Sequence, residues 1–251
     1  MIDWFAAADK LSGNTTKRTP TLTPELAPYW ERYQRLEMQP LRIQVEIAGI
    51  LAGYHPIHLD NLLARMVVDE AYSGHQMDNS GTPYLLPAPL KILWRHPETT
   101  LPLYAANQFE PVGFDREVTV WWHKRFVREE HIDARRKMNR GDISASAGRF
   151  KEKRIPMPAR IATTWQADCI GNRDEIARLL ATCRAIGKKR MGYVVEWRIG
   201  PVAEFRLNRP APLAYLSGGS FSLDMRYCGW TPPYWASVPE CQGWCVDAAE
   251  H

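Results

Sequence analysis

The clearest pattern along the chain is a strict alternation of apolar and polar residues that starts near position 40. Apolar side chains occupy the odd positions from Leu41 to Ile47, and polar or charged side chains occupy the even positions between them. Successive side chains of a strand point to opposite faces, so this period of two predicts a strand with one buried face. After a turn that contains Pro56, apolar residues recur at helical spacing from Leu59 to Val68 and predict a helix that ends near Tyr72.

Three further stretches favour extended structure. Leu90 to Trp94 is a short apolar run, and Val118 to Trp122 is rich in β-branched and aromatic residues. From Phe150 the chain reads as extended through Trp165, allowing for Pro156 and Pro158. These stretches predict two strands and an extended segment after the first helix.

A second helix is predicted by its capping residues. Asn172 is a favourable N-cap for a helix from Arg173 to Ile186, and Gly187 is a favourable residue for the position after a helix end. A final strand is predicted from Tyr193 to Ile199.

The predicted order approximates β-α-β-β-α-β, the plan of ferredoxin-like and RRM-like domains, so the predicted fold class is α+β. We expect an extended N-terminal arm over 1–38, with a short helix near Glu25–Arg35. The RRM-like domain is predicted over 39–210, with a long basic insertion at about 123–160. The remaining residues, 211–251, read as an irregular tail that contains tryptophan and cysteine.

Composition narrows the class of protein. With 45% hydrophobic and 24% charged residues over 251 positions, the chain can bury a core, and its apolar runs fall short of the roughly 20 residues of a spanning helix. The sequence therefore predicts a soluble, cytoplasmic protein without a membrane partner or cofactor. Five cysteines, an odd number, indicate reduced thiols. Cys228, Cys241 and Cys245 raise the alternative of a zinc site, but only His251 is near as a fourth ligand.

The charge is unevenly distributed, which matters for a polyanionic partner. The net charge is +4, yet residues 116–160 contain thirteen Lys or Arg against six Asp or Glu. A second cluster combines Arg184 with the Lys188–Arg190 run, which lies between Gly187 and Gly192. Cations and glycine backbone N–H groups at a helix–strand junction suit phosphate groups, so Lys188, Lys189 and Arg190 are the strongest candidates for RNA binding. The structural alternative is a helix end with solvated lysines.

Three sequence motifs carry a resemblance to a known family. They are the HLDNLLA run at 58–64 after the first strand, the GRFK run at 148–151, and the GN pair at 171–172 that leads a helix into the IGKKRMGY run at 186–193. Over roughly residues 40–200 they resemble the RAMP superfamily of CRISPR-associated proteins. They are most similar to the type IV effector subunit of the five-type kind, which caps the 5′ handle of the crRNA. The family often continues Gly-Tyr-Gly where this chain has Gly192-Tyr193-Val194.

This resemblance implies a non-catalytic subunit of a type IV CRISPR ribonucleoprotein that takes part in target DNA recognition. Its implied partners are the crRNA 5′ handle, a backbone subunit of the seven-type kind and a large-subunit-like protein, with target DNA near the PAM as a further contact. The basic insertion resembles a thumb that holds the handle. Its implied RNA-binding residues are Arg135, Arg136, Lys137, Arg140, Lys151, Lys153 and Arg154.

Aromatic residues add a further candidate contact. Trp121, Trp122 and Phe150 could stack on splayed bases. Because Trp121 and Trp122 are neighbours on a predicted strand and point to opposite faces, one of the two is expected in the core.

Catalysis remains an alternative. Some superfamily members cleave the CRISPR repeat without metal, and His55 or His58 lies where a general base would be expected. The competing interpretation of His58 is a capping or packing role at the helix start, and Asp60 reads as a charge that favours the helix dipole. An autonomous RRM-like protein is a third interpretation, although the central strands lack RNP-like aromatic motifs. Walker A, GxSxG, HExxH and paired CxxC motifs are missing from the sequence.

Overall fold

The computed structural model describes residues 20–53, 56–73, 85–97, 100–124, 153–209, 211–212, 223–228 and 241–246. Within these ranges the helices are α1 (Ala27–Gln34), α2 (Leu59–Ala71) and α3 (Arg173–Leu180). The strands are β1 (Gln39–Gly49), β2 (Leu51–Ala52), β3 (Ile92–Arg95), β4 (Pro102–Tyr104), β5 (Glu110–Val112), β6 (Arg116–Lys124), β7 (Lys153–Ile161), β8 (Thr164–Gly171), β9 (Ala185–Ile186), β10 (Gly192–Pro201), β11 (Ala211–Pro212), β12 (Leu223–Cys228) and β13 (Cys241–Val246).

The first predicted strand is confirmed and lies at the centre of the molecule. β1 pairs antiparallel with β8 on one side and with β10 on the other, and the sheet order is β5-β8-β1-β10-β9. The apolar positions from Leu41 to Ile47 are at most 4% exposed, whereas the polar positions between them are partly exposed. The alternation in the sequence is therefore the alternation of a sheet with one face against the core.

Helices α2 and α3 cover the apolar face of this sheet. Leu59, Leu63 and Val67 are fully buried on α2 at a spacing of four residues, which confirms the first predicted helix. On α3, Ile176 and Leu179 belong to the same core cluster. The two helices and the sheet therefore share one hydrophobic core.

The second predicted helix begins as expected but ends early. The side chain of Asn172 accepts a hydrogen bond from the Glu175 N–H at 3.0 Å, which confirms the N-cap. The helix stops at Leu180 instead of Ile186, and the Thr182 hydroxyl donates to the Leu179 carbonyl at 2.9 Å. Residues 185–186 instead form β9 and pair with the start of β10. This pairing requires an extended backbone, so the helix cannot continue to Ile186.

Two predicted strands exist but do not belong to the central sheet. β3 pairs with β4, and β6 pairs with β7 in a separate sheet of order β2-β7-β6. The segment predicted as extended through Trp165 is divided between β7 and β8. In the central sheet, β5 and β8 occupy the places that were expected for the strands now identified as β3 and β6. The predicted assignment of the second and third strands was therefore wrong. A mixed α+β architecture built on antiparallel sheets is confirmed.

The described ends of the chain also differ from expectation. The short helix predicted near Glu25–Arg35 is confirmed as α1, but it packs on the core, with Leu26 and Tyr33 buried, so residues 20–38 are not an extended arm. The tail is not wholly irregular, because its described strands form an antiparallel sheet of order β11-β13-β12. Among the helices of the described ranges, none combines the length and the apolar character that a membrane span requires.

Candidate nucleic-acid interface

The loop from Gly187 to Gly192 connects β9 to β10 and presents the predicted cations. Lys188–Arg190 form a single 3₁₀ turn, in which the Arg190 N–H donates to the Gly187 carbonyl at 3.1 Å. Gly187 has a φ of 81° and a ψ of 173°, and Arg190 has a φ of 55°. The sequence analysis predicted Gly187 as the residue that follows the end of the second helix. In the structure Gly187 is instead the N-cap of this 3₁₀ turn.

The loop is seated tightly against the turn between β1 and β2. A Cβ on Gly187 would lie 2.9 Å from Leu51 Cδ1 and 3.4 Å from the Ala52 carbonyl oxygen. A Cβ on Gly49, which has a φ of 102°, would lie 2.6 Å from the carbonyl oxygen of Met191. Glycine is required at both positions by conformation and by close backbone approach, so the turn has a fixed position on the sheet.

A groove of about 1010 Å³ lies between this loop and α2. Its α2 wall includes Asn61, Arg65 and Asp69, and its other wall runs through residues 182–188 and Arg190. Lys188 and Arg190 are both exposed at its rim. The structure thus brings two of the predicted RNA-binding residues together beside a concave surface.

Positively charged side chains outnumber negatively charged ones along the groove. The cations along it are Arg65, Arg184, Lys188 and Arg190, against the carboxylates of Asp69 and Glu70. Both carboxylates have cationic partners within the protein: Asp69 pairs with Arg65 at 2.8 Å, and Glu70 pairs with Arg178 of α3 at 2.8 Å. The loop cations therefore face a groove whose acidic groups are already compensated, which favours an anionic ligand.

Arg65 was not identified from the sequence as part of this groove. The sequence pattern that could have indicated it is a polar stripe on α2. Asn61, Arg65 and Asp69 recur every four residues on the side opposite the buried leucines. The stripe indicates an exposed helix face, but only the packed loop turns that face into a groove wall.

The other candidate cations are distributed differently. Lys153 and Arg154 begin β7, where they pair with Lys124 and His123 of β6. Ala159 of β7 pairs with Ala52 of β2, which lines the groove. Six residues of strand separate Lys153 from Ala159, or about 20 Å at 3.3 Å per residue, so the structure does not bring this pair into the groove. Arg135, Arg136, Lys137, Arg140 and Lys151 lie outside the described residues, as do Phe150 and His55.

The two adjacent tryptophans separate as expected. Trp122 is partly buried against Ala52, Met157 and Ala159, the small core of the β2-β7-β6 sheet. Trp121 is 46% exposed on the opposite face. The expectation that one of them belongs to the core is confirmed.

The open face of the central sheet does not resemble an RNA-stacking platform. On the two central strands, this face carries Arg42 and Gln44 of β1 with Asp168 and Gln166 of β8. Arg42 binds Asp168 in a bidentate ion pair at 2.8 and 2.9 Å. Trp165 of β8 points to the other side and is 2% exposed. A platform of aromatic residues, as RRM domains use, is missing from these two strands.

The start of α2 contains a buried ion pair that the sequence did not reveal. Asp60 lies in the first helical turn, as its interpretation as a helix-dipole charge requires. Its carboxylate also binds Arg209 at 3.0 Å, and both side chains are fully buried. Arg209 further donates to the Tyr104 carbonyl at 3.0 Å. His58 is the N-cap residue beside this pair, and it does not line the groove.

Cys169 is a buried free thiol, and Cys183 is a partly buried one. Burial raises the pKa of Cys169, and burial also raises the pKa of Cys183 at the groove. In the tail sheet, Cys228 lies opposite Cys241, with Cys245 four residues further along β13. Four residues of strand span about 13 Å. Thiolates on one zinc ion, with Zn–S bonds of about 2.3 Å, lie far closer together. The register therefore does not suit a site shared by Cys241 and Cys245.

Comparison with known families adds a finding beyond the geometry. The model of a CRISPR type IV associated protein family, Csf3, matches residues 39–246. The match begins where β1 begins and extends through the tail sheet, further than the 40–200 range expected from the motifs. Comparison with curated proteins finds no significant match. A family model that covers β1, the cationic loop and the tail identifies the chain as a member of the Csf3 family of CRISPR type IV associated proteins.

Proposed function

We propose that this chain is the non-catalytic RNA-binding subunit of a type IV CRISPR ribonucleoprotein, and that it caps the 5′ handle of the crRNA. The observation that carries the proposal is the groove between α2 and the glycine-bounded loop, with Lys188 and Arg190 exposed at its rim. Membership of a type IV CRISPR family makes crRNA the polyanion available to such a groove.

Phosphate binding at this place has a direct physical basis. Lys and Arg gain affinity by displacing the counterions condensed on a nucleic acid, and an Arg guanidinium can bind a phosphate through two N–H groups. The close contacts at Gly187 and Gly49 fix the backbone of the turn that carries these cations, which limits the backbone entropy lost on binding.

The fold supports assignment to the RAMP superfamily. The order β5-β8-β1-β10 places the strands in the order two, three, one and four of a β-α-β-β-α-β unit, with α2 and α3 as its helices. We infer a ferredoxin-like core on this basis. The basic segment between β6 and β7, together with the first residues of β7, then corresponds to the thumb. Its cations would form a second handle contact: Arg135, Arg136, Lys137, Arg140 and Lys151 in the segment, and Lys153 and Arg154 at the start of β7.

The partners follow from the same proposal. A cap on the crRNA 5′ handle would contact the adjacent backbone subunit of the seven-type kind and a large-subunit-like protein, and it would lie near the PAM duplex of the target DNA. Cytoplasmic assembly of such a complex is part of the proposal.

The test is binding and cleavage of a labelled CRISPR-repeat RNA read from one gel, with and without EDTA. We expect salt-sensitive binding of intact RNA, and a loss of binding in the Lys188→Ala/Arg190→Ala double variant. Arg206→Ala is the matched control, because Arg206 is 79% exposed and lies outside the groove. Equal affinity of the double variant and the wild-type protein would contradict the role of the loop.

The same gel decides between capping and cleavage. Under the proposal His58→Ala leaves RNA binding intact and no cleavage is seen in any variant. Site-specific cleavage that resists EDTA, and that His55→Ala or His58→Ala abolishes without loss of affinity, would identify the chain as a crRNA-processing endoribonuclease instead.

A further inference from the structure

A second, smaller cleft of about 290 Å³ lies between α1 and the segment that leads into β3. The Asn172 N–H donates to the Pro89 carbonyl at 3.1 Å, which places this segment beside the start of α3. The cationic loop, in contrast, follows the end of α3. Eight helical residues span about 12 Å, so the cleft and the groove lie at opposite ends of α3 and are separate sites.

The mouth of the cleft combines an aromatic ring with two cations. The guanidinium of Arg95 lies over the ring of Trp30, with its carbon 4.9 Å from the ring centroid. Lys91 is also exposed and lines the same cleft. Among the described residues that line it, none is acidic. The cleft therefore offers a planar stacking surface with positive charge beside it.

The two tyrosine hydroxyl groups of the cleft already have partners within the protein. The Tyr33 hydroxyl donates to Glu175 at 2.9 Å, and the Tyr104 hydroxyl donates to the Leu86 carbonyl at 2.8 Å. A ligand would therefore meet a mixed surface, in which the ring of Trp30 and the side chain of Ile92 lie beside the polar groups of Gln34 and Lys91. A volume of about 290 Å³ is at the lower limit of ligand pockets and suits one small planar group.

We propose that this cleft binds one unstacked nucleobase of a single-stranded RNA, stacked against the Trp30–Arg95 pair, with Lys91 and Arg95 beside the adjoining phosphate. Every base has an aromatic face, and guanidinium planes and indoles are the surfaces on which proteins stack splayed bases. The inference rests on the proposed function only in that the ligand is the same RNA. A free mononucleotide shares this chemistry and is the other source to be tested.

The experiment measures the affinity of the full chain for labelled CRISPR-repeat RNA by fluorescence anisotropy, with single abasic nucleotides placed at successive positions. Loss of one stacked base weakens binding by roughly 5-fold to 150-fold, and we expect this factor for Trp30→Ala. In the wild-type protein one abasic position gives the same loss, and in Trp30→Ala that position gives none. Arg95→Lys keeps the charge but loses the planar group, so it weakens binding as well.

Two control variants separate stacking from folding. Trp30→Phe keeps an aromatic ring and retains most of the affinity, while thermal unfolding reports whether Trp30→Ala is folded. Phe114→Ala removes an aromatic residue that is 75% exposed and lies outside the cleft, so it leaves the affinity unchanged. A loss in Phe114→Ala equal to that in Trp30→Ala would overturn the proposal.

The outcomes also separate this proposal from the function of the groove. Unchanged affinity in Trp30→Ala, together with loss in Lys188→Ala/Arg190→Ala, overturns the cleft alone. Loss of affinity in Trp30→Ala, together with unchanged affinity in Lys188→Ala/Arg190→Ala, overturns the groove alone. Binding of AMP or UMP that Trp30→Ala abolishes, without any effect of Trp30→Ala on RNA affinity, overturns the base-binding proposal and assigns the cleft to a free nucleotide.

Discussion

Gly187 shows how one residue fixes the position of the cationic turn. Its φ of 81° and ψ of 173° lie in a region that is essentially restricted to glycine. Its Cα also lies so close to β2 that an added Cβ would meet Leu51 at 2.9 Å. Both constraints act at the residue that precedes Lys188, so the direction of the loop cations depends on this glycine.

Gly187→Ala is therefore expected to destabilise the protein by about 1–3 kcal/mol, the usual cost of a residue held in a strained backbone region. Urea unfolding measures the change. Gly200→Ala is the matched control, because a Cβ on Gly200 of β10 would meet no heavy atom within 4 Å. Equal unfolding free energies for the two variants would show that the loop relaxes around the added methyl group.

The Asp60–Arg209 pair shows a second effect at the scale of single residues. A charge that is fully buried is tolerated only while its partner is present, and here the partner comes from a segment about 150 residues further along the chain. The pair joins the start of α2 to the chain that follows β10. It therefore stabilises a contact that the hydrophobic pattern does not encode.

Removal of one partner leaves the other charge buried. We expect Arg209→Met to destabilise the protein by about 3–5 kcal/mol in urea unfolding, and Asp60→Leu/Arg209→Met to cost less than the sum of the two single variants. Arg65→Met breaks an exposed ion pair between residues four apart on a helix and should cost only about 0.3–0.5 kcal/mol. Similar losses in Arg209→Met and Arg65→Met would refute the burial argument.

At the scale of elements, a polar network joins the three helices. Glu175 of α3 binds Arg32 and Tyr33 of α1 and Arg178 of its own helix, and Arg178 continues to Glu70 of α2. Partial burial by itself would raise the pKa of Glu175, but hydrogen bonds from Arg178 and Tyr33 outweigh it, and the pKa is lowered. The network therefore favours the ionised carboxylate in the folded state.

This shift predicts a pH dependence of stability with a defined sign. The folded pKa of Glu175 lies below its unfolded value of about 4.3. The carboxylate thus contributes stability above the unfolded pKa, and the contribution is lost as the pH falls through the folded pKa. We expect Glu175→Gln to lower the unfolding free energy at pH 7 and to flatten its decline below about pH 5. Urea unfolding at a series of pH values measures this.

Glu196→Gln is the control for the acid decline. Glu196 of β10 also has an arginine partner, Arg198, but its side chain is 51% exposed and remote from the helices. An acid decline that is the same in Glu175→Gln and in the wild-type protein would contradict the role of the helix network.

At the scale of the whole molecule, the number of cations that contact phosphate groups determines how strongly RNA affinity depends on salt concentration. Each phosphate contact on a single strand contributes a slope of about −0.7 in a plot of log affinity against log salt concentration. We therefore expect Lys188→Ala and Arg190→Ala each to reduce the magnitude of this slope by about 0.7. Arg206→Ala should leave the slope unchanged. An unaltered slope in all three variants would place the phosphate contacts elsewhere in the chain.

Much of the local structure could be predicted from the sequence, because the signals are local. The alternation from Leu41 to Ile47 identified β1, the helical spacing from Leu59 identified α2, and Asn172 identified the start of α3. β8 was missed as a separate strand, although Trp165, Ala167 and Cys169 alternate with polar residues in the same way. Its signal was present but was read as part of one long extended segment.

Long-range pairing could not be predicted in the same way. A period of two shows that a strand has a buried face, but it does not show which strand lies beside it. β6 is a strong strand by residue type, yet it pairs with β7 outside the central sheet, and the short β5 takes a place next to β8. Partners separated by many residues are selected by the packing of the whole core.

The sequence by itself determined the composition of the cationic turn, the first strand and helix, and the cap of α3, since each depends on residues within one turn or one strand of one another. Only the tertiary structure decided that α2 forms the opposite wall of the groove, that Arg209 neutralises Asp60, and that Arg95 lies over Trp30. These contacts join residues that are far apart in the chain, and their free energy arises only when the core brings them together.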